Sequence, residues 1–449
     1  MRKRTRSGLI SSLVVAVFCV VVVHAAQAQS SVPFGREDVK TWQKIPLGTV
    51  ITPQNWEQYK EFMPAGMQLM FTAGGSWQLP PDFQMVVGPT HNYPLPPLFW
   101  QNTEKYSKNV KIVTLPDGRH TVTGYVAGMP FPDPQPPMQG YKFLADTWYE
   151  WFPWIYCNHH SWVYLRDRVG NLRTLKTYFV YRELAYNSSV GQPIDDPRGG
   201  GVYYAEYTEV VLPEESKYIT QLTLYYKDPL RQEDLFLFVP ALRRSLRLSS
   251  AARCSPFVGT DFIQDDIKGG SFNGGLTRFN ATYLGPKYIL LLTTADPKEF
   301  GQFNNYYLPF LFPKPVVAKW EVRKTYLLDV RRIPSQQAGY CLQKRMLYVD
   351  AQSFVSPWAD KYDTAGRLWN TESFQQIANF IPLEGPQLYG GDYMVTATDW
   401  QNRHQTLFLS AGPSGRHAAG GIACRNYEGV NEDNIERYSS VTGLSEILR

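Results

Sequence analysis

Apolar and polar residues alternate with a period of two through most of the chain after Ser161. Between Leu172 and Arg182, Leu175, Phe179 and Tyr181 fall on one side, with Thr174, Lys176 and Arg182 on the other. Between Lys217 and Lys227, Tyr218, Leu222, Leu224 and Tyr226 oppose Lys217, Gln221, Thr223 and Lys227. The longest run is Val316 to Arg331. There Val316, Ala318, Trp320, Val322, Tyr326, Leu328 and Val330 share one face, and Lys319, Glu321, Arg323, Thr325, Asp329 and Arg331 share the other. Extended backbone sends successive side chains to opposite sides, so each run predicts a strand with one dry and one wet face. At about 3.3 Å per residue the longest would span roughly 50 Å.

Turn chemistry divides the rest. Asp167-Arg168-Val169-Gly170-Asn171 and Asp363-Thr364-Ala365-Gly366-Arg367 read as hairpin loops with glycine in the left-handed position. Leu342–Asp350, Phe354–Tyr362, Gly391–Trp400 and His404–Ser410 bring the expectation to about eleven or twelve antiparallel strands between Ser161 and Ser410. Long helices do not alternate with them, which argues against βαβ units. One helix is predicted near the start. Thr52 would cap it, Pro53 would be its first residue, Trp56, Tyr59 and Met63 would share a face, and Pro64 and Gly66 would end it. Leu79–Pro97 and Met129–Pro137 are too proline-rich to enter a sheet and read as surface segments wrapping the core.

The predicted fold is therefore mainly β. One large, strongly curved antiparallel sheet forms its core and presents a wide concave face that must be buried. A second sheet, a helical plug or an apolar ligand could cover that face, and amphipathic helices are too few to cover all of it. The expectation is a hydrophobic cavity lined by Phe179, Leu222, Leu224, Trp320, Val322, Tyr326 and Leu328, the apolar sides of the best-patterned strands.

Composition fits this picture. With 43% hydrophobic and 14% aromatic residues a core is assured, and the aromatic share favours a pleated surface. Residues 1–28 read as a secretory signal peptide. Arg2, Lys3, Arg4 and Arg6 precede an apolar run from Leu9 to Val23, and Ala26-Gln27-Ala28 follows it. Phe18 before Cys19 speaks against a lipoprotein, and residues 29–449 would form a single periplasmic domain. The leader holds four of the 45 Lys and Arg residues and none of the 40 Asp and Glu, so its removal takes the formal charge from +5 to +1. Nucleic-acid binding then lacks the positive excess it needs. Cys157, Cys254, Cys341 and Cys424 allow up to two disulfides in an oxidising compartment, with the pairing open.

Catalytic constellations are nearly absent. His159 and His160 are adjacent, so on a strand they face opposite ways, and no metal-ligand spacing or GxSxG elbow occurs. The reading is accordingly non-enzymatic, with no cofactor and no metal. Two features remain. The aromatic belt Trp148 to Tyr156 exceeds what one strand face can bury. It reads as core packing with a surface brace, or as the mouth of an apolar pocket with Trp151 and Trp154 at the rim. Arg243, Arg244 and Arg247 lie near Asp261, Asp265 and Asp266 and read as ion pairs pinning a loop to the rim, or as a site for an anion or lipid headgroup.

These motifs carry a resemblance. Val239-Pro240-Ala241-Leu242-Arg243-Arg244, Gly259-Thr260-Asp261-Phe262 and Asp266 resemble the signature of periplasmic outer-membrane lipoprotein-sorting-like (LolA/LolB-like) proteins. With Ile51-Thr52-Pro53-Gln54-Asn55-Trp56, Gly128-Met129-Pro130-Phe131-Pro132, Tyr348-Val349-Asp350 and Tyr362 to Trp369, the chain is similar to one long proteobacterial family of unknown function related to those carriers. The resemblance implies an open half-barrel, with a few helices and long proline- and aromatic-rich loops closing its concave face, whose interior holds acyl chains, and partners in an RND-type inner-membrane exporter and an outer-membrane protein. It supplies no catalytic residues. The expected function is a periplasmic carrier of a lipid or other hydrophobic molecule. The alternatives are an assembly partner of an outer-membrane complex, with the aromatic belt exposed, and an exported hydrolase built around His120, His159 or His404.

Overall fold

Thirteen strands of the computed structural model join in one antiparallel sheet. In chain order they are β1 (Ile155–Arg166), β2 (Leu172–Glu183), β3 (Val202–Leu212), β4 (Thr220–Tyr226), β5 (Asp234–Val239), β6 (Arg244–Leu248), β7 (Phe279–Leu291), β8 (Glu321–Arg332), β9 (Leu342–Asp350), β10 (Trp358–Asp363), β11 (Leu368–Gln376), β12 (Tyr393–Asp399) and β13 (His404–Ser410). The structure describes residues 34–249, 253–257, 259–266, 268, 271–273, 275–381, 383–388, 393–410, 435–444 and 446–447, without the side chains of 158–160, 379 and 380. The leader expected at 1–28, the His159-His160 pair's side chains and Cys424 lie outside that description.

Across the sheet the order is β6-β5-β4-β3-β2-β1-β13-β12-β11-β10-β9-β8-β7. Two up-and-down runs, β1 to β6 and β7 to β13, meet where the first strand pairs with the last, Val163 opposite Phe408 and Leu165 opposite Thr406. The free edges are β6 and β7, and among the described residues no pairing joins them. The sheet is an open half-barrel, as the family resemblance implies. This order has a second consequence: between Leu248 and Phe279 the chain must travel from one edge to the other. It does so over the concave face, where Phe257 and Phe262 pack against Val395 and Ala397 of β12.

Among the described residues, the helices of eight or more residues are α1 (Ala65–Thr72), α2 (Pro97–Tyr106) and α3 (Gln139–Trp148). Helix α3 lies inside the curve and bridges its two arms. The Phe143 ring is 4.6 Å from Tyr326 of β8, and the Trp148 ring is 5.8 Å from Tyr204 of β3. In a flat sheet those strands, eight places apart, would be separated by roughly 38 Å, whereas five helical residues span about 7.5 Å. The sheet must therefore curl around the helix. Gly140 sets the depth of the contact, since a Cβ there would lie 2.3 Å from the Ala281 carbonyl oxygen of β7. Helix α3 was not foreseen from sequence; it occupies the gap between the proline-rich stretch and the aromatic belt.

Two other expectations change. The run from Val316 is shorter than its alternation suggests. Strand β8 begins at Glu321, while the Trp320 N–H is drawn to the Val86 carbonyl of an earlier segment. Near the start, a 3-10 helix covers Trp56–Phe62, and Pro64 precedes α1 where it was expected to end a helix. Proline suits that place, because the first turn has no use for its missing N–H. Gly66 lets the α1 backbone approach the convex face of the sheet, where its N–H donates to the Asp360 carboxylate at 3.1 Å. The hairpin loops at Asp167–Asn171 and Asp363–Arg367 form as read, with Gly170 and Gly366 at φ +97° and +77°.

Candidate functional site

The six central strands, β3-β2-β1-β13-β12-β11, and the segment crossing above them enclose a cavity with about 880 Å³ of unfilled space, its open mouth included. Its walls are aromatic. Phe179 and Tyr181 rise from β2, Tyr156 from β1, Phe408 from β13, Tyr393 from β12 and Phe374 from β11, with Phe257 and Phe262 descending from the crossing segment. Strand alternation places Thr177, Phe179 and Tyr181 on the inner face, opposite Glu206 and Thr208 of β3.

The floor is charged. Glu206, Glu372, Asp266 and Lys268 all reach the cavity. Lys361 of β10 joins two of them, its Nζ lying 2.7 Å from Asp266 Oδ2 and 3.1 Å from Glu372 Oε2, and Arg345 of β9 stands 3.4 Å from Asp266 Oδ1. Lys268 donates to the Trp148 carbonyl and sits over the Trp148 ring, 4.3 Å from its centroid. Burial pushes the Glu206 carboxyl up to about 8, with Lys268 and a hydrogen bond from Tyr225 opposing. Burial likewise raises Glu372 against the pull of Lys361, and lowers Lys268 against Glu150, Glu183 and Glu206.

The crossing segment is pinned at several points. Cys254 is disulfide-bonded to Cys341, and Cys157 is disulfide-bonded as well. Asp265 accepts from Arg253 and, at 2.7 Å, from the Tyr340 hydroxyl. Burial alone would raise the Asp265 carboxyl, but the surrounding Arg253, Arg345 and Arg278 hold it at about 2. Asp261 meets His404 Nδ1 at 3.0 Å and accepts from the Thr406 hydroxyl at 2.8 Å, both on β13.

Of the residues expected to line a cavity, Phe179 borders this one. Tyr326 and Leu328 lie on the concave face but are covered by α3 and belong to the core around it. Trp320 and Val322 pack with the segments around Met67, Phe83 and Phe312. Leu222 and Leu224 are on the opposite face. They pair with Tyr207 and Ala205 of β3 and pack beneath Ile435, Tyr438 and Leu444 near the C-terminus. The inner face of β4 carries Gln221, Thr223 and Tyr225, and Gln221 meets Gln264 of the crossing segment. Apolar alternation pointed the wrong way there because both faces of β4 are covered.

The rim residues also differ from expectation. Arg243 and Arg244 are exposed, and no carboxylate pairs with either among the described residues. The pinning network exists, but its cations are Arg253, Arg345 and Lys361, supplied by neighbouring segments that sequence proximity does not reveal. Asp261 belongs to it through His404 and Thr406. Trp151 is buried in the core around α3, and Trp154 packs half-buried on the convex cluster. The belt is thus mostly interior, with Phe152 reaching the cavity. Glu206, Glu372 and Lys268 were missed. For Glu206 the signal was the polar residue between tyrosines in Tyr204-Ala205-Glu206-Tyr207, which reads as a wet face although it is interior.

His404 faces Asp261, but among the described residues no hydroxyl or thiol is hydrogen-bonded to its other ring nitrogen. No group of three or more His, Cys, Asp and Glu could hold a metal ion, and no helix is long and apolar enough to cross a membrane, again among the described residues.

The chain belongs to a family of proteins of unknown function, DUF1329, whose model matches residues 50–418. The family relationship read from its motifs is thereby shown. Among similar solved structures is a putative outer membrane lipoprotein-sorting protein domain from Vibrio parahaemolyticus, at 14% identity and a TM-score of 0.44 over 68% of this chain and 98% of that one. A DUF1329 family protein from Desulfovibrio piger matches at 12% identity and a TM-score of 0.46 over 69% and 100%. A LolA superfamily protein from Nitrosomonas europaea matches at 13% identity and a TM-score of 0.34 over 58% and 86%. No curated protein is significantly similar to the chain.

Proposed function

We propose that this chain is an exported, non-enzymatic carrier of a lipid or other single-chain hydrophobic molecule, held between the concave face and the segment that crosses it. The observation that carries the reading is the aromatic-walled cavity, which the chain's own side chains leave unfilled although α3 fills the neighbouring half of the concave face. Transfer of apolar surface supplies the affinity. Each buried methylene is worth roughly 0.8 kcal/mol, so a sixteen-carbon chain gains about 12 kcal/mol before ordering costs. Micromolar binding needs about 8 kcal/mol.

Export to the periplasm is supported by the leader pattern of Met1–Ala28 and by the Cys254–Cys341 disulfide, a bond of oxidising compartments. An RND-type exporter and an outer-membrane protein are the partner classes that the family resemblance suggests. The rival reading, an assembly partner docking through its aromatic belt, is disfavoured by the burial of Trp148, Tyr149, Trp151 and Phe152. Native mass spectrometry of protein purified from its own host, followed by titration of delipidated protein with lipid probes, tests the carrier reading. A bound lipid mass or saturable binding is expected. Absence of both overturns it.

A further inference from the structure

The two free edges of the sheet are built differently. Edge strand β7 is spoiled for pairing. Its register slips between Tyr283 and Pro286, Gly285 turns the backbone to φ +104°, Pro286 has no N–H to offer, and Lys287 follows. A bulge, a proline and a lysine are ordinary means of keeping a sheet edge from capturing another chain. Strand β6 has none of them. Arg244 to Leu248 pair in unbroken register with Val239 to Leu235 of β5, and among the described residues no strand lies on the other side. Alternate residues of an edge strand turn their N–H and C=O groups away from the sheet, so β6 offers a regular backbone template.

Side chains select the kind of strand that fits. Leu246 and Leu248 continue the inner face, since they pair with Leu237 and Leu235, which pair in turn with Gln221 and Thr223 of β4. Leu248 is 37% exposed, and Leu242, in the turn before β6, is 51% exposed. The charge beside them is one-sided. Arg231, Arg243, Arg244 and Arg247 are all exposed. Among the described residues the carboxylate that meets any of them is Asp234, which is shared between Arg231, Arg247 and the Tyr226 hydroxyl. Neighbouring Glu233 is turned inward to Arg253 and Arg278. Arg243 and Arg244 thus stand together at the start of an open edge with no carboxylate to answer them.

We propose that the β6 edge docks a partner protein, which adds an extended acidic segment as a further strand. Antiparallel addition repeats the pairing of the neighbouring strands and brings the segment's C-terminal end to the start of β6. Apolar residues of the segment then meet Leu246 and Leu248, and carboxylates at its C-terminal end meet Arg243 and Arg244. A second copy of this chain is the poorer occupant, because its own β6 would bring arginines to arginines, and like charge discriminates against such a pairing. The docking is independent of what the cavity holds.

The test is fluorescence anisotropy of a labelled peptide, Thr-Val-Thr-Val-Thr-Glu-Glu blocked at both ends, titrated with the full chain, beside a counterpart carrying lysine for glutamate. The acidic peptide is expected to bind saturably and about tenfold more tightly than the basic one, the worth of two exposed ion pairs. That margin should shrink in about 0.5 M salt. In hydrogen exchange, the outward amides of residues 244–248 should exchange freely in the chain alone and slow when the acidic peptide is added. The double variant Arg243→Glu/Arg244→Glu should reverse the ranking of the two peptides. No saturable binding, equal binding of both peptides, or protection that appears anywhere but β6 overturns the proposal. Outward β6 amides that are already slow in the chain alone overturn it too, because the chain would then be covering its own edge. The wild-type ranking and the exchange pattern decide the question even where the double variant fails to fold.

Discussion

Cys254, in the segment that crosses the concave face, is disulfide-bonded to Cys341, just ahead of β9 and 87 residues further along the chain. The bond ties the start of the cavity's cover to the far arm of the sheet. Closing a loop of that length removes denatured-state freedom worth up to about 4–5 kcal/mol in the chain-entropy model, with 2–4 kcal/mol typical of such bonds. The double variant Cys254→Ser/Cys341→Ser should lose roughly 2–4 kcal/mol in denaturant unfolding. Faster hydrogen exchange should appear in residues 253–268 while β1 and β13 stay protected. Unchanged exchange in the crossing segment would mean that the ion pairs alone hold it.

Phe179 and Leu222 separate cavity from core. Leu222 is fully buried on the convex face, so Leu222→Ala should cost about 2–5 kcal/mol of stability and leave the affinity of surviving protein for a hydrophobic probe within twofold. Phe179 is partly buried and faces the cavity. Phe179→Ala should cost less stability and weaken probe binding by about tenfold, the equivalent of about 1.4 kcal/mol of lost contact. Equal effects of the two variants on binding would contradict this division.

That contrast also marks how much could be read beforehand. Strands β2, β4, β8, β9, β10, β12 and β13 follow from period-two alternation, and the hairpins joining β1 to β2 and β10 to β11 from glycine turns such as Asp167–Asn171, since both are local properties of the chain; β3, β5, β6 and β7 lack so clean a pattern and were not read. Which face is concave is not local. Leu222 and Leu224 look inward by hydrophobicity, yet Ile435, Tyr438, Leu444 and Ile447 cover them, and Gln221, Thr223 and Tyr225 take the inner side. Helix α3 and the crossing segment are equally hidden, because a backbone contact at Ala281 and cations from β9 and β10 hold them. Phe179 was found because its face is both apolar and concave. Glu206 was not, because a buried acid inside a curled sheet looks in sequence like a solvent-facing one.

Glu206 gives stability a slope against pH. Burial raises its carboxyl from 4.5 to about 8, so the folded chain holds a proton that the unfolded chain releases above 4.5. Its stabilising contribution is complete below pH 4.5 and is lost as pH rises towards 8, at up to about 1.4 kcal/mol per pH unit. Glutamine cannot ionise. Glu206→Gln should therefore gain stability over wild type between pH 5 and pH 7.5, by roughly 2–3 kcal/mol after relaxation of the site. Parallel wild-type and variant curves of unfolding free energy across that range would show that Glu206 ionises freely.

His404 and Asp261 make the opposite end of the cover sensitive to pH near neutrality. The hydrogen bond to Asp261 raises the His404 imidazole above 6.5, its charge and those of Asp399 and Asp167 add to the effect, and burial opposes it. A histidine raised in this way stabilises the folded state fully below pH 6.5 and ceases to do so as pH climbs through its folded value. The ring is more than a third exposed, so screening limits the gain to about 0.5 kcal/mol. That is too small to see in global unfolding but visible locally. Amides at 259–263 should exchange more slowly at pH 6 than at pH 8 after correction for intrinsic rates, and His404→Gln should remove the difference. The same step should appear in release of a bound probe, slower at pH 6 in the wild type and insensitive to pH in the variant, because Phe262 of the cavity wall sits one residue from Asp261. A pH dependence that survives His404→Gln would assign it to the buried carboxylates of the floor instead.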